Sequence, residues 1–319
     1  MRNLVAPLLF AIVAGGCCSS LAKLVDPQRA VAPRASSYSP PAASYSVTES
    51  STVWHDTARD RDVPVKFYLP AGVDRPPLVV FSHGIGEDRD SYAYLGREWA
   101  SHGYAAVHIT HAGTDKATLR QGYLKLYRAT KERQNWINRP RDVSFVLDQL
   151  ARHAEGAPVV DLDRVAVAGH SAGAFTALAI TGMRAGSGES LADPRVKVAI
   201  ALSMPKMDGV VPPNGYDSLT APTLHMTGTC DGSLIYRTRP ADRRVPFTST
   251  HASRQYLVTL TDVNHNTFSN TTDPHHARIA TLTTVFLDAY LRNDAAARAW
   301  LDDGGAVAWA GGELAEERK

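Results

Sequence analysis

Short runs of wholly apolar residues alternate with amphipathic stretches along most of the chain. Leu78–Phe81, Ala105–Ile109, Val165–Ala168, Val196–Leu202, Thr223–Met226 and Tyr256–Leu260 are strand-length and carry almost no polar alternation. Such runs predict strands covered on both faces. The stretches between them read as helices. Asp90–His102 puts Tyr92, Leu95 and Trp99 on one face and stops at Gly103. Pro140–Ala151 carries Val143, Val146, Leu147 and Leu150 as one stripe, with Pro140 suited to a first turn. Ser171–Met183 is a third helix, and Asp273-Pro274 opens a fourth that turns Ile279, Leu282, Val285 and Phe286 inward. Nearer the start, Val65, Phe67 and Leu69 alternate with Lys66 and Tyr68. Val63–Leu69 is therefore a half-buried strand, joined to Thr52–Trp54 through the charged turn Asp56–Asp62. Buried strands alternating with amphipathic helices predict an α/β domain with a mostly parallel central sheet and helices on both faces, over residues 52–301.

The ends of the chain do not share this pattern. Residues 1–22 combine Arg2, the apolar core Leu4–Val13 and the small residues Ala14-Gly15-Gly16 before Cys17. They read as an export signal, too short to span a bilayer. The approach to Cys17 resembles a bacterial lipobox, with Ala14 where a branched apolar residue is usual. The expected location is periplasmic or extracellular, with attachment to a membrane through a lipidated Cys17 left open. Residues 23–51 are rich in Ala, Ser and Pro and predict a flexible tether. Residues 302–319, with Gly and many charges, predict a loose tail. The segment Thr110–Asn138 is too long for a plain connection. Its residues 113–138 are either a cap over the site or a solvated helix on the side of the domain, with Tyr127 and Trp136 as candidate substrate contacts.

Composition narrows the function classes only slightly. Of 319 residues, 44% are hydrophobic and 21% charged, as in an ordinary globular protein. A net charge of +2 with scattered Lys and Arg argues against a nucleic-acid partner. The three cysteines, Cys17, Cys18 and Cys230, form no readable disulfide framework, and Cys230 reads as a small buried side chain. The 12 histidines include no His-Glu-x-x-His pattern, so no metal is predicted.

The chemistry concentrates at Gly169-His170-Ser171-Ala172-Gly173, which joins an apolar strand to a small-residue helix. Gly-x-Ser-x-Gly in that context is a nucleophile elbow: the sharp turn excludes a Cβ at either glycine and lifts the serine hydroxyl off the sheet. A serine needs a base to take its proton, and the base needs an acid to orient it. His265 follows the last apolar strand and Asp231 follows the strand before it, so Ser171, Asp231 and His265 each stand just past a strand end. Ligands bind at that edge of a parallel sheet. Asp208, in the loop after Val196–Leu202, is the rival acid. Two backbone N–H groups are candidates to hold the oxyanion: that of Ala172, and that of Ile85 in the Gly-rich loop Ser82-His83-Gly84-Ile85-Gly86 after Leu78–Phe81. His83 reads as a loop-pinning residue rather than a base.

Phe81-Ser82-His83-Gly84-Ile85-Gly86, Ala100-Ser101-His102-Gly103-Tyr104, Gly169-His170-Ser171-Ala172-Gly173 and Thr227-Gly228-Thr229-Cys230-Asp231 together resemble the bacterial predicted dienelactone-hydrolase group of α/β-hydrolases. That group is similar to platelet-activating-factor acetylhydrolases and to polyester-degrading and chlorophyllase-like esterases. The resemblance spans roughly Thr52 to Leu291. It implies a serine esterase working through an acyl-enzyme without cofactor, with Ser171 as nucleophile, His265 as base, and the Ile85 and Ala172 amides as oxyanion donors. The substrate would be a small or lipophilic carboxylic ester. A lipase or phospholipase with 113–138 as lid, or a catalytically silent binding protein, is the alternative. The chain departs from the resemblance at two places. Dienelactone hydrolases proper use a cysteine nucleophile. The acetylhydrolases place their acid in an Ala-Leu-Asp context where this chain has Ala201-Leu202-Ser203, which favours Asp231.

Overall fold

A computed structural model describes residues 18–186, 189–212, 214–233 and 238–319. Residues 1–17, most of the stretch read as an export signal, lie outside the described residues. Nine strands form one sheet in the order β1-β2-β4-β3-β5-β6-β7-β8-β9. They are β1 (Val47–Asp56), β2 (Arg61–Pro70), β3 (Pro77–Ser82), β4 (Ala105–Ile109), β5 (Asp161–His170), β6 (Val196–Leu202), β7 (Thr223–Cys230), β8 (Gln255–Asn264) and β9 (Leu314–Arg318). The six central strands, β4-β3-β5-β6-β7-β8, run parallel. The hairpin β1–β2 and the last strand β9 join antiparallel at the two ends. This is the expected α/β architecture.

The unbroken apolar runs split their side chains between the two faces. Val79 and Phe81 of β3, with Ala166 and Ala168 of β5, enter one core cluster. It is roofed by α1 (Ala93–Ser101) on the N-terminal side and by α7 (His276–Leu291) towards the C-terminus. Leu78 and Val80, with Val165 and Val167, enter the other cluster, under α4 (Arg133–Ala151) and α5 (Ala172–Ile180). A period of two thus gives both layers their apolar surface, because successive strand residues point to opposite faces.

Several expectations need correcting. β1 begins at Val47, so the domain starts before Thr52. The stretch read as a tether lies along the domain. Ala30 bridges to Glu317, Val31 N–H donates to the Glu316 carbonyl at 2.8 Å, and the Ser44 and Tyr45 N–H groups donate to the Ser101 carbonyl. The stretch read as a loose tail completes the fold through α8 (Ala295–Asp302), α9 (Gly305–Trp309) and β9. The edge of β8 offers a backbone ladder, and Leu314 buries its side chain in the first core cluster. Cys230 forms a disulfide with Cys18 across a sequence separation of 212. A signal segment reaching residue 22 would remove one half of that bond. Pro140 lies inside α4 rather than at its start. The extra turns before it are held by tertiary contacts: Trp136 packs edge-on against Phe175, and Arg139 is fully buried. Two further short helices, α2 (Lys116–Arg120) and α3 (Tyr123–Ala129), precede α4.

Candidate active site

The elbow between β5 and α5 shows why its glycines are required. A Cβ on Gly169 would stand 2.3 Å from the Gly173 carbonyl, and one on Gly173 would stand 1.8 Å from the Ser82 carbonyl oxygen. Between them Ser171 adopts φ 55° and ψ −116°, a conformation that L-residues rarely hold. Its N–H is fixed by the Leu202 carbonyl at 2.9 Å. Strain of this kind persists only where the surroundings over-determine it. Here two steric contacts and one hydrogen bond do so.

His265 is presented by a single 3₁₀ turn, His265–Phe268, which Asn264 caps by accepting from the Asn266 and Thr267 N–H groups. Its Nε2 lies 3.1 Å from Ser171 Oγ. Its Nδ1 faces three groups: Ser203 Oγ at 2.6 Å, Arg243 Nη2 at 3.1 Å and Asp231 Oδ1 at 3.2 Å. Asp231 is fully buried at the end of β7. It accepts from Ser203 Oγ and from Thr227 Oγ1, each at 2.8 Å, and its Oδ1 stands 3.1 Å from Arg243 Nε. Burial alone would raise its pKa. The Arg243 guanidinium, His265 and Ser203 together outweigh burial and bring it down to about 2. Burial pushes the His265 pKa below the ordinary histidine value, and the Arg243 charge pushes the same way against the pull of Asp231.

Ser171, Asp231 and His265 therefore come together from three strand ends far apart in sequence. Asp208 does not join them. Its carboxylate is 75% exposed and paired with Lys206 at 2.7 Å. The Ala172 N–H opens α5, among the helix N–H groups that have no intrahelical acceptor. Ile85, Ala172, Ser171 and His265 all border one cavity of about 900 Å³. Tyr127, Trp136 and Ile137 from the 113–138 segment form one wall, and Phe175, Met207 and Val210 form others. That segment thus contributes lining to the cavity.

Residue reading missed two participants. Arg243 sits in the charged stretch Asp242-Arg243-Arg244, which looks like solvated surface, yet its side chain is 1% exposed. Its Nη1 also donates to the Ser203 and Met204 carbonyls. Ser203 was passed over because a hydroxyl cannot replace a carboxylate. Its position at the end of β6, in the sheet row that also holds Ser171 and Asp231, was the available signal.

A serine on a strained turn after the fifth strand, an aspartate after the seventh and a histidine after the eighth, on a mostly parallel sheet, are the arrangement that decides the fold. The chain has the α/β-hydrolase fold. Comparison with known proteins agrees. Residues 57–144 match the family described as platelet-activating factor acetylhydrolase, isoform II. Residues 120–240 match the family described as serine hydrolase (FSH1). The chain is similar to a platelet-activating factor acetylhydrolase of Cavia porcellus, 30% identical over 149 residues. That match covers 36% of this chain and 34% of the relative, so the chain spans about a third of the relative's length.

Proposed function

We propose that the chain is a serine hydrolase that cleaves carboxylic esters through an acyl-enzyme. The observation that carries this reading is the 3.1 Å approach of His265 Nε2 to the hydroxyl of a strained serine bordering a cavity of about 900 Å³. His265 takes the Ser171 proton as Oγ attacks the ester carbonyl carbon. The tetrahedral oxyanion accepts from the Ile85 and Ala172 N–H groups. The imidazolium then gives its proton to the leaving alkoxide, and the acyl group stays on Ser171. Water, deprotonated by the same imidazole, attacks that acyl group and releases the acid. Asp231 stays ionised throughout and stabilises the imidazolium.

The apolar and aromatic walls favour a lipophilic acyl or alcohol group on the ester. The cap segment favours a lipase or phospholipase as the second reading. The disulfide supports an exported protein, because such bonds persist in oxidising compartments. Among the described residues no helix is long and apolar enough to cross a membrane. Attachment through a lipidated Cys17 rests on the sequence alone, and the intact mass of the mature N-terminus tests it.

Turnover of p-nitrophenyl esters by the wild type and its loss in Ser171→Ala tests the central reading. Covalent labelling of Ser171 by a fluorophosphonate is the independent check. A fold that only binds ligand shows neither. A series of acyl-chain lengths, in solution and as emulsion, separates esterase from lipase.

A further inference from the structure

Beneath the loop that carries Ile85 lies a second Ser–His–Asp chain that the mechanism does not use. Ser82 Oγ is 2.9 Å from His111 Nε2, and His111 Nδ1 is 2.9 Å from Asp142 Oδ2. All three residues are fully buried, so no substrate reaches them. Asp142 is also held by Arg59 Nη1 at 2.8 Å, from the turn between β1 and β2, and by Arg61 Nη2 at 3.0 Å, from the first residue of β2. Breaking such a buried set is strongly destabilising, yet apolar packing often serves stability equally well. Its presence calls for a role in geometry.

The geometry points to the Gly84–Ile85 peptide. The His111 backbone N–H donates to His83 Nε2 at 3.0 Å. That nitrogen must be unprotonated, so the His83 proton sits on Nδ1, which donates to the Gly84 carbonyl at 2.5 Å. Burial keeps this ring neutral by holding its pKa well below the ordinary value. The Gly84–Ile85 peptide is trans. In a trans peptide the C=O and the N–H point in opposite directions. Fixing the Gly84 carbonyl towards His83 therefore turns the Ile85 N–H away from His83, and Ile85 is a residue that borders the cavity with Ser171. Glu87 accepts from the Gly84 N–H at 2.9 Å and fixes the preceding peptide. Arg139 donates to the His83 carbonyl and, at 3.2 Å, to Thr176 Oγ1 in the elbow helix α5. One side chain thus ties the oxyanion loop to the nucleophile's helix.

We infer that His83 is a positioning residue for the oxyanion hole: it sets the direction of the Ile85 N–H through the Gly84 carbonyl, and the sealed Ser82–His111–Asp142 chain with Arg139 holds it there. The inference rests on the ester-hydrolase reading above. The test compares wild type, His83→Leu and Ser82→Ala. It measures kcat and KM on p-nitrophenyl butyrate, Ki for an alkyl trifluoromethyl ketone, which forms an oxyanion on the serine, and thermal unfolding. Deleting an oxyanion donor costs about 10²–10³-fold in kcat, so misdirecting one in His83→Leu should cost on the order of 10- to 10³-fold. KM should stay within about twofold and the ketone should weaken in step with kcat, because only the charged adduct uses the N–H. Ser82→Ala should show the same split at roughly 3- to 10-fold. It decides the matter if His83→Leu does not fold. A lower melting temperature with unchanged kcat per folded molecule, or a ketone Ki that does not follow kcat, overturns the inference alone. Absence of ester turnover in the wild type defeats the ester-hydrolase reading and this inference with it.

Discussion

The hydroxyl of Ser203 is nearer to the ring of His265, at 2.6 Å, than the Asp231 carboxylate is, at 3.2 Å. The same hydroxyl donates to Asp231 Oδ1 at 2.8 Å. It bridges the Asp231 carboxylate and the His265 ring, and in the proposed mechanism the negative charge remains on Asp231. Losing a hydrogen bond to a charged group costs roughly 1.5–3 kcal/mol, so Ser203→Ala should lower kcat by about 10- to 100-fold. Asp231→Asn removes the charge itself and should cost on the order of 10⁴-fold, as in serine-protease triads. Asp208→Asn should stay within about twofold, since its exposed pair with Lys206 is of the weak surface kind. Steady-state kinetics on one p-nitrophenyl ester ranks the three. Equal losses at Asp231 and Asp208 would remove Asp231 as the acid.

The environment of His265 sets the acid limit of activity. The base must be neutral to accept the Ser171 proton. Burial first, and the Arg243 charge second, lower its pKa below the usual 6.5. Activity should therefore persist in mildly acid solution and fall only as pH drops through that lowered value. A profile of kcat/KM from about pH 4 to about pH 9 reports the free enzyme's value directly. An acid limb centred at or above the ordinary histidine pKa would contradict the placement of Arg243 beside the ring.

The elbow has no room for a methyl group. A Cβ on Gly173 would sit 1.8 Å from the Ser82 carbonyl, which is backbone of the central strand β3 and cannot step aside. Gly173→Ala should cost on the order of 3–5 kcal/mol or prevent folding. Gly72→Ala, at a turn glycine with open space but φ 78°, should cost only about 1 kcal/mol. Urea denaturation of the pair checks the contrast. A Gly173→Ala protein as stable as the wild type would mean that the β5–α5 turn is not built this way.

The Cys18–Cys230 bond closes most of the chain into one loop and ends next to Asp231. A crosslink of that kind stabilises by about 2–4 kcal/mol, chiefly by restricting the unfolded chain. Asp231 has its own partners in Thr227, Ser203 and Arg243, so its position does not hang on the disulfide. Cys18→Ser should lower the unfolding free energy from urea denaturation by that amount and leave kcat of the folded protein within about threefold. Non-reducing peptide mapping of the purified protein should find residues 18 and 230 linked. A mature chain that begins beyond residue 22 would lack the bond altogether.

Much of the fold could be read because its signals are local. A buried strand in a parallel sheet needs an unbroken apolar run, and β3, β4 and β6 showed one with bounds within a residue or two. The nucleophile elbow is likewise a local object, since its glycines and its serine are neighbours in sequence. Edge strands carry a weaker signal. Leu314-Ala315-Glu316-Glu317-Arg318 looks like a solvated tail, and it becomes β9 because β8 presents an unpaired ladder. The arm 23–51 has no periodicity to read, and its placement follows from a covalent bond at Cys18 and from backbone groups finding acceptors on β9 and α1.

Residue order and spacing were enough to specify the alternating architecture, the turn that exposes Ser171, and a short roster of acid and base partners. These follow from steric and periodic constraints acting over a few residues. The neighbours of each partner are another matter. That Asp231 rather than Asp208 meets His265, that Arg243 lies buried against both, and that the His111 N–H fixes the His83 ring are consequences of strands converging from distant parts of the chain. Charge and hydrogen-bond effects depend on separations of a few ångströms and on exclusion of water. Neither quantity exists until the sheet has assembled.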